Sequence, residues 1–172
     1  MTRVLQLFAH RIDTPIGDLL IVADEDGHLR ATEWTDLEGR MQRLLRRHYG
    51  AEGFRINTGP AANALTDALH RYFAGELDAI DALPVQTGGT SFQRGVWRAL
   101  RRIPCGSTIS YATLAERIRR PTAIRAVGLA NGSNPVSIVV PCHRVIGADG
   151  SLTGYGGGLD RKRWLLAHER AR

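Results

Sequence analysis

The sequence is poor in cysteine, in lysine and in long apolar runs. Its 172 residues hold two cysteines, Cys105 and Cys142, and one lysine, Lys162. Two isolated cysteines make neither a disulfide framework nor a CxxC metal site, and they fit a reducing compartment. Each thiol is therefore open to two readings, a buried apolar residue or a nucleophile. No apolar stretch reaches the roughly 18 residues that would span a bilayer. Residues 1–12 carry Arg3 and Arg11 around a short strand-like segment without a cleavage pattern, so a secretory leader is not expected and a cytoplasmic location is. Aromatics are only 6%, apolar residues 43% and charged residues 23%, an ordinary globular balance.

Acidic residues are scarce in one half only. The first 86 residues hold nine Arg against thirteen Asp and Glu; the remaining 86 hold fourteen Lys and Arg against four acids. A net of −4 thus precedes a net of +10, inside an overall +6. A basic half suits a polyanionic partner, nucleic acid above all, or simply a solubilising surface.

The acidic half reads as strands at 5–12, 18–23 and 29–33, separated by turn signals at 14–17 and 24–27. That spacing predicts an antiparallel meander. Two helices follow, one with Met41, Leu44, Leu45 and His48 at helical spacing, the other with Leu65, Leu69, Tyr72 and Phe73. The uncharged stretch 84–91 marks a boundary, giving domains 1–86 and 87–172. The expected class is α+β: a small antiparallel sheet with helices, then a mostly helical domain. Phe92, Val96, Leu100 and Ile103 open the second domain with an amphipathic helix.

Ser110 is placed to cap a helix over 111–119, with Leu114, Ala115 and Ile118 inward. A second helix is expected over 122–131, with Gly132 at its end. Two helices joined by a tight turn fit a helix-turn-helix plan or a plain helical hairpin. The expected outer face of the second helix, Thr122, Ala126 and Ala130 with Arg125 and Leu129 at its edge, has almost nothing that reads base edges. Such a smooth face suits close, shape-based approach to a narrow groove.

Residues 136–140 are largely β-branched and read as a buried strand ended by Pro141. Cys142, His143 and Arg144 follow. An imidazole and a guanidinium beside a thiol favour the thiolate, which is the nucleophilic form. Neighbours on an extended chain point to opposite sides, so a turn or a bridging water would have to join Cys142 to His143. Glu169 is the candidate to orient the imidazole. Cys105, in the turn 103–106, lacks such neighbours and reads as structural. The run Tyr155-Gly156-Gly157-Gly158 permits close backbone approach to a ligand, or is only a loose loop.

Taken together, residues 92–97 (FQRGVW), 103–106 (IPCG), Ser110-Tyr111, 125–128 (RAVG), 131–135 (NGSNP), 138–147 (IVVPCHRVIG), 154–157 (GYGG) and 164–169 (WLLAHE) closely resemble the O6-alkylguanine-DNA alkyltransferases. The likeness is close over about 87–170 and nearest the bacterial stand-alone type. The first half, with 14–17 (TPIG) and 72–75 (YFAG), resembles the family's more variable RNase H-like domain.

This resemblance implies a DNA repair protein that flips an alkylated guanine out of duplex DNA and takes the alkyl group irreversibly onto Cys142. O4-alkylthymine is an expected second substrate. His143 would act as base through a water, and Glu169 would orient it. Asn134 would hold the active-site turn. Tyr111 would help rotate the nucleotide and donate a proton to the leaving guanine. DNA contacts would come from Ser110, Tyr111, Thr122, Arg125, Ala126 and Ala130, with Arg125 filling the gap in the stack. Tyr111, Val145, Tyr155 and Gly156 would line the base pocket. No cofactor and no metal are expected, because the first half lacks the cysteine–histidine cluster of zinc-bearing relatives. The expected partner is double-stranded DNA, bound by a monomer, with cooperativity left open.

Ser137 stands where some relatives carry a pocket-narrowing proline, which leaves the accepted alkyl size open. A damage-binding relative without the acceptor is disfavoured by Cys142 itself. A cysteine hydrolase using Cys142 and His143 would leave the smooth helix and the basic half without a purpose.

Overall fold

A computed structural model describes residues 3–59 and 63–170. The chain divides into two compact units, Met1–Gly89 and Thr90–Arg172.

In the first unit β1 (Leu5–Ile12), β2 (Leu19–Asp24) and β3 (Leu29–Trp34) form the antiparallel meander. The β1–β2 turn is closed by the Gly17 amide on the Thr14 carbonyl at 3.3 Å, with Gly17 at φ +119°, a conformation open to glycine. Helix α1 (Glu38–Tyr49) then crosses to β4 (Phe54–Thr58). β4 pairs with β1 in parallel, so the sheet order is β3-β2-β1-β4 and the sheet is mixed. This fourth strand escaped the sequence reading because its sequence, FRINT, is short and half polar. Leu7, Val22 and Ala31 from the meander bury against Met41 and Leu45 of α1. Helix α2 (Asn63–Phe73) buries Leu65, Ala68, Leu69 and Tyr72.

The second unit opens with α3 (Ser91–Leu100). Thr90 and Gln93 form a reciprocal capping box at its start, and Val96, Trp97 and Leu100 face inward. Two-residue strands β5 (Ile109–Ser110) and β6 (Val145–Ile146) pair in parallel. That pairing sets the head of α4 (Tyr111–Arg117) beside the end of the Pro-Cys-His-Arg segment. Ser110 caps α4, its hydroxyl oxygen accepting the Thr113 amide at 3.1 Å. Helix α5 (Ile124–Gly132) packs on α3 and α4, and α6 (Leu159–Arg170) closes the unit.

Three sequence expectations are corrected here. α4 ends at Arg117, and α5 begins at Ile124; Thr122 lies in the connection, where the Ala123 amide bonds the Arg120 carbonyl. Gly132 is the last helical residue, with Ser133 as cap. Residues 136–140 are buried but form no strand. They fold into a turn in which the Val140 amide reaches the Val136 carbonyl at 3.0 Å and Ile138 sits at φ +75°. The side chain of Asn134 satisfies the backbone that a neighbouring strand would otherwise have paired.

Candidate active site

The segment that carries Cys142 hangs on Asn134, which is 1% exposed. Its Oδ1 accepts the Val136 amide at 2.9 Å, and its Nδ2 donates to the Val140 carbonyl at 2.8 Å. One side chain thus closes the turn that delivers Pro141 and Cys142. Residues Cys142–Arg144 form a short 3-10 turn, not the end of a strand. This turn, rather than an extended chain, sets the directions of Cys142 and His143. Cys142 is buried, and its carbonyl receives Asn131 Nδ2 at 3.5 Å, which ties it to the last turn of α5.

Behind the cysteine lies a buried charge cluster. His143 Nε2 is 2.8 Å from Glu169 Oε1. Arg144 grips the same carboxylate with Nε at 3.0 Å and Nη2 at 2.8 Å, while its Nη1 donates to the Ile103 carbonyl at 2.7 Å. Glu169, on α6, is thereby brought to His143 across 26 residues of chain. The Arg144 guanidinium is thus held by the Glu169 carboxylate and the Ile103 carbonyl.

The protonation states follow from these contacts. Burial by itself would raise the Glu169 carboxyl, but the hydrogen bonds and charges of His143 and Arg144 outweigh it and hold Glu169 far below the usual carboxylate range. Burial pushes the His143 imidazole down, opposed by Glu169 and reinforced by Arg144 and Lys162. His143 is therefore neutral, with Nε2–H donating to an ionised Glu169. Its Nδ1 is then the bare acceptor, and it has no protein hydrogen-bond partner.

Tyr111, at the head of α4, donates its hydroxyl to the Thr153 carbonyl at 3.4 Å. Tyr155 meets the His143 ring edge-on, centroids 6.5 Å apart. Val145 is fully buried and directly follows the Cys142 turn, its amide bonding the Cys142 carbonyl, and Gly156 is half-buried in the glycine run.

On α5, Arg125 and Ala126 are exposed, as is Thr122 before it. Ala130 is not on the outer face: it is 3% exposed and its carbonyl takes the Trp97 indole N–H at 2.8 Å. Leu129 is the residue that stands out, 71% exposed. Packing against α3, whose Trp97 covers Ala130, leaves the exposed face centred nearer Arg125 and Leu129 than the sequence assignment put it.

Two residues at the site were given no role from the sequence. The Asn131 side chain reaches the Cys142 carbonyl. Lys162, between Arg161 and Arg163, is wholly buried. Burial pushes its ammonium down, against the pull of Cys142. In the first unit Asp24, Asp26 and His28 come together, but the Asp24 carboxylate already accepts the Asp26 and His28 amides and the Arg30 guanidinium.

Comparison with known proteins decides what this arrangement belongs to. Residues 91–171 match the family model of the 6-O-methylguanine DNA methyltransferase DNA-binding domain, and residues 7–87 match that family's ribonuclease-like domain. The chain belongs to the 6-O-methylguanine DNA methyltransferase family. It is 54% identical over 166 residues to the methylated-DNA–protein-cysteine methyltransferase of Shigella flexneri, covering 96% of this chain and 97% of that one. Against the Mycobacterium tuberculosis H37Rv protein of the same name, identity is 48% over 162 residues, covering 94% and 91%. The crystal structure of M. tuberculosis OGT in complex with DNA superposes with TM-score 0.77 at 42% identity, covering 96% of this chain and 93% of that one. Within this methyltransferase family the match spans both units, so the α+β class holds over the whole length.

Proposed function

We propose that this protein repairs duplex DNA carrying O6-alkylguanine by transferring the alkyl group to its own Cys142. The observation that carries this reading is the buried neutral His143, held by ionised Glu169 with Nδ1 open, next to the one cysteine in a built polar environment. In the reaction, the Cys142 thiol proton passes to His143 Nδ1, through a water. The thiolate attacks the alkyl carbon, an S–C bond forms, and the C–O6 bond breaks. Guanine leaves as an anion unless protonated, and the Tyr111 hydroxyl is the donor at hand. The thioether has no route back to thiol, so each molecule acts once.

Duplex binding is assigned to α4 and α5. The exposed Arg125, Ala126 and Leu129 of α5, with Thr122 just before it and Ser110 and Tyr111 at the head of α4, supply the contacts. Small residues let α5 approach a shallow minor groove closely, where sequence readout is poor and damage in any context can be met. Extruding a base costs a few kcal/mol, least when it is damaged and weakly paired. Arg125 is long enough to occupy the gap left behind. Tyr111, Tyr155, Val145 and Gly156 receive the extruded base. O4-alkylthymine, with the same reacting O–alkyl group, is the natural second substrate. No helix among the described residues is long and apolar enough to cross a membrane.

The test is intact and peptide mass analysis after mixing with duplex DNA containing O6-methylguanine. One added methyl on Cys142 is the expected result. An unmodified chain, or several turnovers per chain, would overturn the reading.

A further inference from the structure

Lys162 is the only lysine in the sequence and one of the largest wholly buried side chains. The mechanism above gives it nothing to do. A buried ammonium is expensive to keep unless its geometry serves a purpose. Its three recorded acceptors are backbone carbonyls: Val145 at 2.6 Å, Thr153 at 2.9 Å and Gly154 at 3.5 Å from Nζ.

These carbonyls lie at the two roots of one loop. Residues 145–154 leave β6, turn at a tip held by the Gly147 amide on Ser151 and the Gly150 amide on Gly147, and return to the glycine run. The tip is exposed and carries its own hydrogen bonds. The roots are joined to each other through one ammonium, itself anchored on α6. The Thr153 carbonyl is moreover shared: it accepts Lys162 Nζ on one side and the Tyr111 hydroxyl on the other. The same helix that carries Lys162 carries Glu169 seven residues later. The loop rim, Tyr111 and the acceptor's charge cluster are thus referred to a single rigid element.

We propose that Lys162 is a positioning residue that clamps both roots of loop 145–154 and, through the Thr153 carbonyl, parks the Tyr111 hydroxyl at the rim of the base pocket until a base displaces it. When a base enters and takes the hydroxyl, Lys162 keeps Thr153 satisfied, so Tyr111 is released without orphaning a carbonyl. The inference rests on the assignment of Tyr111, Val145 and Tyr155 to the base pocket.

The clamp predicts a split between two reactions of the same sulfur. Iodoacetamide needs the thiolate but not the base pocket; O6-methylguanine in duplex DNA needs both. In Lys162→Met, single-turnover transfer from the duplex should fall on the order of a hundredfold, the cost of a misplacement near 1 Å, while iodoacetamide alkylation of Cys142, which loses only the attraction of the ammonium for the thiolate, should fall far less. A parallel fall in both rates, or no fall in either, overturns the clamp. A second measurement keeps Lys162 in place. In the Cys142→Ser chain grown with 15N-lysine, the single ammonium signal should shift with duplex containing O6-methylguanine and stay put with the same duplex containing guanine. The same position in both complexes overturns the clamp. Failure of the parent chain to take up methyl on Cys142 would instead overturn the underlying functional reading.

Discussion

His143 Nε2 and Glu169 Oε1 stand 2.8 Å apart with both side chains sealed from solvent. This pair decides which nitrogen carries the proton. An ionised Glu169 demands Nε2–H, which leaves Nδ1 to accept. Arg144 makes that assignment firm by holding the carboxylate charged from its other side.

Glu169→Gln should therefore do two separable things. The amide can donate to Nε2 and invert the tautomer, and transfer should slow by about 10²- to 10⁴-fold, the usual worth of a general base. The same change strips Arg144 of its counter-charge, and stability should drop by about 3–5 kcal/mol. Single-turnover transfer and denaturant unfolding check the two effects. A variant with the parental rate would remove His143 from the proton path.

The pH dependence of stability has a definite sign. Both His143 and Glu169 have folded-state pKa values depressed below their ordinary ones, near 6.5 and 4.5. In the window below each ordinary value the unfolded chain binds more protons, so stability rises with pH there. Their contributions are in full force above about 6.5. Acidification should remove first the part due to His143, then, below about 4.5, the part due to Glu169. Urea midpoints measured from pH 8 to pH 4 should fall steadily. A midpoint that rises on acidification from pH 7 to pH 5 would contradict a neutral buried His143.

Much of this was readable from the residues, for local reasons. Alternating strands with turn signals at 14–17 and 24–27 need no tertiary information, and the meander appeared where the pattern put it. Cys142, His143 and Glu169 announce themselves by residue type, since acids are rare in the second half. The turn at 136–140 did not, because a β-branched run is equally at home in a strand, and only the bonds of Asn134 choose the turn. Lys162 was hidden because burial of a charge depends on carbonyls brought from residues 145, 153 and 154. The solvent face of α5 was misassigned at Ala130 because periodicity groups residues by face but does not say how far the neighbouring α3, through Trp97, covers that face.

Asn134→Ala isolates the turn. The Val136 amide and Val140 carbonyl would be left buried without their partner, at about 1–3 kcal/mol each. The expected loss is roughly 2–5 kcal/mol, together with slower transfer as Cys142 loses its support. Asn134→Asp keeps the acceptor for Val136 but cannot donate to Val140, so its loss should be intermediate unless the new charge dominates. Thermal unfolding with single-turnover rates distinguishes these. Parental stability in Asn134→Ala would mean that the turn stands without its side-chain brace.

The corrected face of α5 gives the sharpest contrast between neighbours. Ala126 is exposed and Ala130 is 3% exposed under the Trp97 indole, four residues apart on one helix. Ala126→Leu adds bulk to the surface proposed to press into the groove. Its stability should stay within about 0.5 kcal/mol of the parent, as for an ordinary surface change, while duplex affinity falls. Ala130→Leu forces extra methylenes into a packed interior, and should cost about 1–3 kcal/mol of stability. Its duplex affinity, measured where it is folded, should remain nearer the parent's. Fluorescence anisotropy with a labelled duplex and chemical denaturation read the two quantities independently. Affinity lost at both positions with stability kept at both would instead restore the outer face drawn from helical periodicity alone, on which Ala126 and Ala130 lie together.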